Sequence, residues 1–187
     1  MMKIYVKNMV CPRCIMAVET ILNALQVDYK NVTLGEIELN SQPRHSDLAK
    51  LSSQLQSIGF EIIDDKKQQI IERIKNYIIQ FIHHDKEMLK VNLSDFLSNE
   101  LGYEYNYLSN LFSEVEGTTI EKYVILQKIE KVKELIVYDE LSLKEIANQL
   151  GYSSVAYLSN QFKKVTGLTP SHFKTIGQQK RVPLDFL

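Results

Sequence analysis

"IANQLGYSSVAYLSNQFKKVTGLTPSHFK", running from Ile146 to Lys174, decides how the second half of this chain folds. Ser142 stands just ahead of it, where a hydroxyl can cap a helix, and Leu143, Ile146, Ala147 and Leu150 follow at helical spacing. Ala147 is small where a second helix must cross closely. Gly151 permits the positive φ of a tight turn. Tyr152 is placed to plug the corner, and Ser153 and Ser154 offer a second cap. Leu158 and Phe162 mark the buried side of the next helix, leaving Val155, Ala156, Ser159, Gln161 and Lys163 outward. Two helices about a glycine turn make a helix-turn-helix. The short, light N-terminal face of the second suits a major groove about 12 Å wide.

The same pattern occurs earlier, in "NLSDFLSNELGYEYNYLSNLFSEVEGTTIEKY" from Asn92. Gly102-Tyr103 precedes Gly151-Tyr152 by 49 residues, whereas Tyr107-Leu108-Ser109-Asn110 precedes Tyr157-Leu158-Ser159-Asn160 by 50. The turn of the second copy therefore carries one inserted residue. Phe112 and Phe162, Val115 and Val165, and Gly117 and Gly167 keep the longer offset. Two copies are too few for a helical solenoid, and the glycine-aromatic turn points to paired helix-turn-helix units instead.

From about Gln69 to Lys174 the chain resembles the DNA-binding domain of AraC/XylS-type transcription regulators, including the closing "GLTPSHFK". The resemblance implies two helix-turn-helix units bridged by one long helix, here about 120–138. Their reading helices, here 105–113 and 154–164, would enter successive major grooves of double-stranded DNA. It places Asn106, Ser109 and Asn110 of the first helix toward DNA, and Val155, Ala156, Tyr157, Ser159 and Asn160 of the second. Lys163, Lys164 and Lys174 are the expected phosphate contacts, with Lys122, Lys128 and Lys131 on the bridge. Many members carry Arg where this chain has Asn110 and Asn160. Asn reads adenine and Arg prefers guanine, so an A·T-richer target is expected there. Glu114 and Glu116 replace Lys164 and Thr166 in the first copy, so the first unit is expected to hold DNA less tightly, with modest overall affinity that salt weakens.

Ahead of the helical half the periods change. Ile4 and Val6 alternate with Lys3, Tyr5 and Lys7, as in a half-buried strand. Ile15, Val18, Ile21, Leu22 and Leu25 then share a helix face. Val32 and Leu34 pair in pattern with Ile37 and Leu39 about Gly35-Glu36, which suggests a type II′ hairpin. A second helix follows Pro43 and Ser46, with Leu48, Leu51, Leu55 and Ile58 inward and Gly59 ending it. "FEII" closes the set as a strand. The order β-α-β-β-α-β predicts a ferredoxin-like arrangement. The expected architecture is thus α+β: a ferredoxin-like domain over residues 1–66, then an all-α double helix-turn-helix domain over 67–187. Asp64 or Asp65 caps the helix that opens the second part, and no Gly/Ser linker separates the two.

"MVCPRC", Met9 to Cys14, holds both cysteines of the chain. It falls between the first strand and first helix. There it resembles the Met-x-Cys-x-x-Cys loop of heavy-metal-associated domains, a likeness covering about residues 2–63. The resemblance implies that Cys11 and Cys14 bind Cu(I) or another soft ion, with Met9 as a buried anchor and Phe60 near the site. The helix start and Arg13 are expected to lower the thiol pKa. Two thiolates do not complete a four-ligand zinc site, though a homodimer would bring four together. A reversible disulfide is another chemistry the pair allows, and a third reading leaves the cysteines idle in a dimerisation or ligand module. The metal-regulated transcription factor thus competes with a metal-trafficking or thiol-redox protein whose helical half binds protein.

Composition excludes little beyond this. The 187 residues carry a formal net charge of −1, and 44% are hydrophobic. No run approaches the ~18 apolar residues of a membrane helix, and the alternating N-terminus does not read as a signal peptide, so a cytoplasmic protein is expected. No paired carboxylates, nucleophile motif or phosphate loop argues for an enzyme. His83-His84 read as a solvated pair at a helix end, His45 as a loop residue and His172 as variable. Lys180 and Arg181 read as part of a solvated tail.

Overall fold

The computed structural model describes residues 2–84 and 92–176. The tail with Lys180 and Arg181 lies outside the described residues. Two compact units divide between Asn76 and Tyr77.

The first unit contains β1 (Met2–Lys7), α1 (Pro12–Ala24), β2 (Tyr29–Thr33), β3 (Glu36–Leu39), α2 (His45–Ser57) and β4 (Glu61–Ile63). Helix α3 (Lys66–Ile79) begins in it and crosses the division. The strands form one sheet in the order β2-β3-β1-β4, with each neighbouring pair antiparallel. Ile4 and Val6 of β1 point inward with Val32, Ile37 and Leu39, and meet Val18 and Leu22 of α1 and Leu51 and Leu55 of α2. Helix α2 ends in a Schellman arrangement: Phe60 N–H donates to Leu55 O, and Gly59, at φ +88°, donates to Gln56 O.

Three details depart from the sequence pattern. The hairpin turn is Leu34-Gly35, not Gly35-Glu36, because Thr33 pairs with Glu36 and Val32 with Ile37. Gly35 is then the second central residue, at φ +78°, and Leu34 is not left-handed, which excludes type II′. Alternation alone could not choose this register, since Lys30 is bulged out between Tyr29 and Asn31. Ile58 is exposed, because α2 ends at Ser57 and Ile58 is its C-cap with non-helical backbone. His45 opens α2 instead of lying in a loop, and Ser46 sits inside that helix.

The second unit is helical. Asp65 Oδ1 caps α3 by accepting from Gln68 N–H at 2.9 Å. A π-helical segment, Gln80–His84, follows it. Then come α4 (Leu93–Leu101), α5 (Tyr105–Glu116), α6 (Ile120–Tyr138), α7 (Leu143–Gln149), α8 (Val155–Thr166) and α9 (Pro170–Ile176). The caps explain the boundaries. Asn92 caps α4, Thr119 caps α6, Ser154 caps α8, and Ser142 with Glu145 forms a reciprocal capping box on α7. Asp139, at φ +55°, closes α6. Leu97, Leu101, Leu108, Leu111, Phe112 and Tyr123 are buried in the first repeat. Ile146, Ala147, Leu150, Leu158, Phe162 and Phe173 pack with Ile129, Val132 and Ile136 of α6 in the second.

His83 differs from the solvated pair its neighbours suggested. It is half-buried and bonds Gln127 Oε1 at 3.0 Å, while Gln127 Nε2 donates to the Tyr123 hydroxyl at 3.0 Å. Gln127 Oε1 therefore accepts, and the neutral imidazole carries its proton on Nε2. Burial, with help from the Lys131 charge, lowers the His83 pKa to about 4.

Candidate nucleic-acid interface

The interface is built from the two repeats. α4 and α5 form one helix-turn-helix, α7 and α8 the other, and the 19-residue α6 joins them. Two residues separate Gly102 from α5, and three separate Gly151 from α8. The insertion inferred from the offsets thus sits in the turn.

The two corners use their tyrosines differently. Tyr152 is buried, and its hydroxyl donates to Gln161 Oε1 at 2.8 Å. Burial raises its pKa, with the neighbouring Tyr157 adding to the effect. Tyr103, in the first repeat, lies on the surface against Tyr107.

On α5, Asn106 and Asn110 are exposed and Ser109 is half-buried. On α8, Ala156, Tyr157 and Asn160 are exposed, and so are Lys163 and Lys164 in the last turn; Ser159 is half-buried. Val155 is a correction. Its side chain packs against the core of the second repeat, because the first residue of α8 sits over α7 and is not fully turned outward. Sequence reasoning also missed Tyr107, which is exposed at the position matching Tyr157. An aromatic at helical spacing reads as core, and only the repeat alignment could have marked it as surface.

The lysines proposed for phosphate divide by environment. Lys122 is exposed. Lys128 turns inward: its Nζ donates to Leu150 O at 2.9 Å and stands 5.4 Å from the Tyr152 ring centre, and burial lowers its pKa. It fastens the bridge to the second turn and is not placed as a phosphate ligand. Lys131 pairs with Glu134 along α6 at 2.9 Å, and Lys174 pairs with Asp139. A groove of about 480 Å³ runs between the repeats along α6, with Tyr105, Glu121, Lys128 and Tyr157 in its wall. Tyr105 donates to Glu121 Oε1 at 2.7 Å, which holds the carboxylate below its usual range.

At the other candidate site, Cys11 is the N-cap of α1, Pro12 its first residue, and Cys14 N–H donates to Cys11 O. The two sulfurs lie 3.5 Å apart as free thiols. Met9 is completely buried, and Asn8 Nδ2 ties the loop to Gly59 O at 2.9 Å. Phe60 belongs to the same core, against which Cys14 packs. The expected lowering of thiol pKa is not found at Cys14. Burial pushes it up, the hydrogen bond with Cys11 adds to this, and Arg13 is exposed. No group of three or more His, Cys, Asp or Glu placed to hold a metal exists among the described residues.

This fold and this paired geometry define a helix-turn-helix protein, and residues 97–176 match the family model described as a helix-turn-helix domain. The solved structure of a transcriptional regulator from Chromobacterium violaceum, titled as containing an AraC-type DNA-binding domain, aligns with a TM-score of 0.53 at 18% identity, covering 60% of this chain and 96% of that one. That likeness concerns the fold. The uncharacterized HTH-type transcriptional regulator YtdP of Bacillus subtilis is 32% identical over 110 residues, 59% of this chain and 14% of that protein. The xylose operon regulatory protein of Escherichia coli is 29% identical over 106 residues, 54% of this chain and 26% of the relative. Residues 97–176 thus carry a helix-turn-helix domain, and the fold of this half is similar to the AraC-type domain of the Chromobacterium violaceum structure. The chain spans only 14% and 26% of the length of these two curated relatives. No described helix is long and apolar enough to cross a membrane.

Proposed function

We propose that this chain is a sequence-specific transcription regulator that binds double-stranded DNA through α5 and α8. The observation that carries this reading is the pair of exposed reading helices on one 19-residue bridge. At 1.5 Å per residue α6 is about 28 Å long, on the order of the ~34 Å turn of B-DNA. Few lysines remain outward, so few phosphates are contacted: affinity is modest, and its fall with salt is shallower than for a protein making many such contacts. The test is retention on duplex DNA at low salt by the full chain, with Asn110→Ala/Asn160→Ala as comparison. If the variant binds and discriminates as the parent does, these helices do not read the bases.

The first unit is read as a ferredoxin-like, heavy-metal-associated-like module whose Cys11 and Cys14 take a soft ion such as Cu(I). Two sulfurs 3.5 Å apart can share one ion at metal–sulfur bonds of about 2.3 Å. Soft thiolates favour Cu(I) over hard cations. The ion acts on DNA binding only through differential affinity for two states, whether by ordering the thiol loop or by joining two chains through four thiolates. Metal titration of the full chain and of Cys11→Ser/Cys14→Ser, read by soft-metal affinity, DNA affinity and sedimentation, tests both steps. Equal metal affinity in the two proteins ends the site assignment. A metal-loaded chain with unchanged DNA affinity and mass ends the coupling.

A further inference from the structure

We infer that α5 and α8 recognise the same short base-pair motif, so that the target of one chain carries that motif twice within a single footprint. This rests on the DNA-binding reading above and specifies it.

Tyr107 is the third residue of α5 and Tyr157 the third of α8; Asn110 and Asn160 are the sixth of each. Both tyrosines are exposed, at 45% and 55%, and both asparagines are exposed. Single surface aromatics are common and need no explanation. Here two occupy equivalent positions, and each ring stands beside the tyrosine of its own turn. Tyr103 lies 5.2 Å from Tyr107 and Tyr152 lies 6.1 Å from Tyr157, between ring centres. The inserted residue in the second turn changes the corner, yet the tyrosine pair survives it. The presented surface is conserved between the repeats while its support differs.

Tyr and Asn three residues apart lie on one helix face with Cβ atoms about 5–6 Å apart. That distance covers one or two base steps, at about 3.4 Å per step along a strand. Asn pairs with adenine N6 and N7 in the major groove, and an apolar ring surface contacts the thymine methyl. Each helix is therefore suited to an adenine within two base pairs of a thymine methyl. The flanks differ: Asn106 faces Ala156, and Ser113-Glu114 face Lys163-Lys164 in the alignment. The two motifs share a core and diverge at the edges. Helices addressing one face of a duplex meet equivalent groove edges about 10–10.5 bp apart.

The experiment is selection of bound sites by the full chain from a random duplex library spanning more than two turns. The expected result is one A·T-containing core occurring twice, with centres about 10–10.5 bp apart. Asn110→Ala and Tyr107→Ala then relax base preference in one copy, and Asn160→Ala and Tyr157→Ala relax it at the matching position of the other. Two unrelated elements, a single element, or retention without enrichment would each overturn the inference while leaving DNA binding intact. Absence of any retention at low salt removes the DNA-binding reading and this inference together.

Discussion

Tyr152 donates to Gln161 across the corner of the second repeat, while its counterpart Tyr103 makes its ring contact on the surface. The two residues share a place in the sequence repeat and differ in energetic role. Truncating the buried ring removes core packing, so Tyr152→Ala destabilises the chain by about 2–4 kcal/mol. Tyr103→Ala removes an exposed ring and costs under about 0.5–1 kcal/mol. Urea unfolding followed by circular dichroism compares them. Equal losses would contradict the asymmetry of the corners.

Gly35 is constrained twice within the first unit. Its φ of +78° disfavours any side chain, and a Cβ there would meet Asn76 Nδ2 at 1.9 Å. Gly35 O also accepts from Val6 N–H at 2.9 Å, so the turn cannot simply move away. Gly35→Ala is expected to cost at least the ~1–2 kcal/mol of a left-handed residue, with the clash added. Adding Asn76→Ala relieves the clash and leaves the backbone cost. A double variant no more stable than the single one would show that Asn76 does not press on the turn.

What the sequence disclosed follows from the range of each signal. Repeats are local, so the inserted turn residue was legible from the shift from 49 to 50; the extent of α6 followed from the family resemblance, and its caps Thr119 and Asp139 emerge from the structure. Hairpin register was not, because Val32, Leu34, Ile37 and Leu39 alternate equally well about either turn. The bulge at Lys30 leaves no mark in the pattern. Long-range polar partners were also hidden: nothing near His83 announces Gln127, 44 residues away. The exposed, equivalent positions of Asn110 and Asn160 were legible from alignment of the repeats. The inward turn of Lys128 was not, since a lysine on a bridge looks alike whether it faces water or Leu150 O.

His83 makes stability depend on acid. Its folded pKa, about 4, lies below the ordinary value near 6.5, chiefly through burial and secondarily through Lys131, with His84 acting in the same direction and Glu134 opposing. Between these values the unfolded chain binds the proton that the folded chain refuses. The contribution is therefore complete above about pH 6.5 and is lost as pH falls toward 4. His83→Gln offers a donor to Gln127 without titrating, so it flattens that part of the stability profile. Denaturation midpoints measured across this range decide the matter, and a His83→Gln profile as steep as the parent's would assign the slope to other groups.

Charge is unevenly divided between α5 and α8, and the salt dependence of DNA binding tests the division. The last turn of α8 carries Lys163 and Lys164, whereas the aligned residues of α5 are Ser113 and Glu114. Each phosphate contact contributes about −0.9 to the slope of log affinity against log salt. Lys163→Ala/Lys164→Ala is therefore expected to reduce the slope by about 2, weakening all sequences alike because phosphates carry no base information. Glu114→Lys adds a contact in the first repeat, raising affinity and steepening the slope by about 1. Titrating duplex at several salt concentrations reads both changes. A slope unmoved by the lysine pair would place the phosphates away from the end of α8, and would require the second repeat to dock in another orientation.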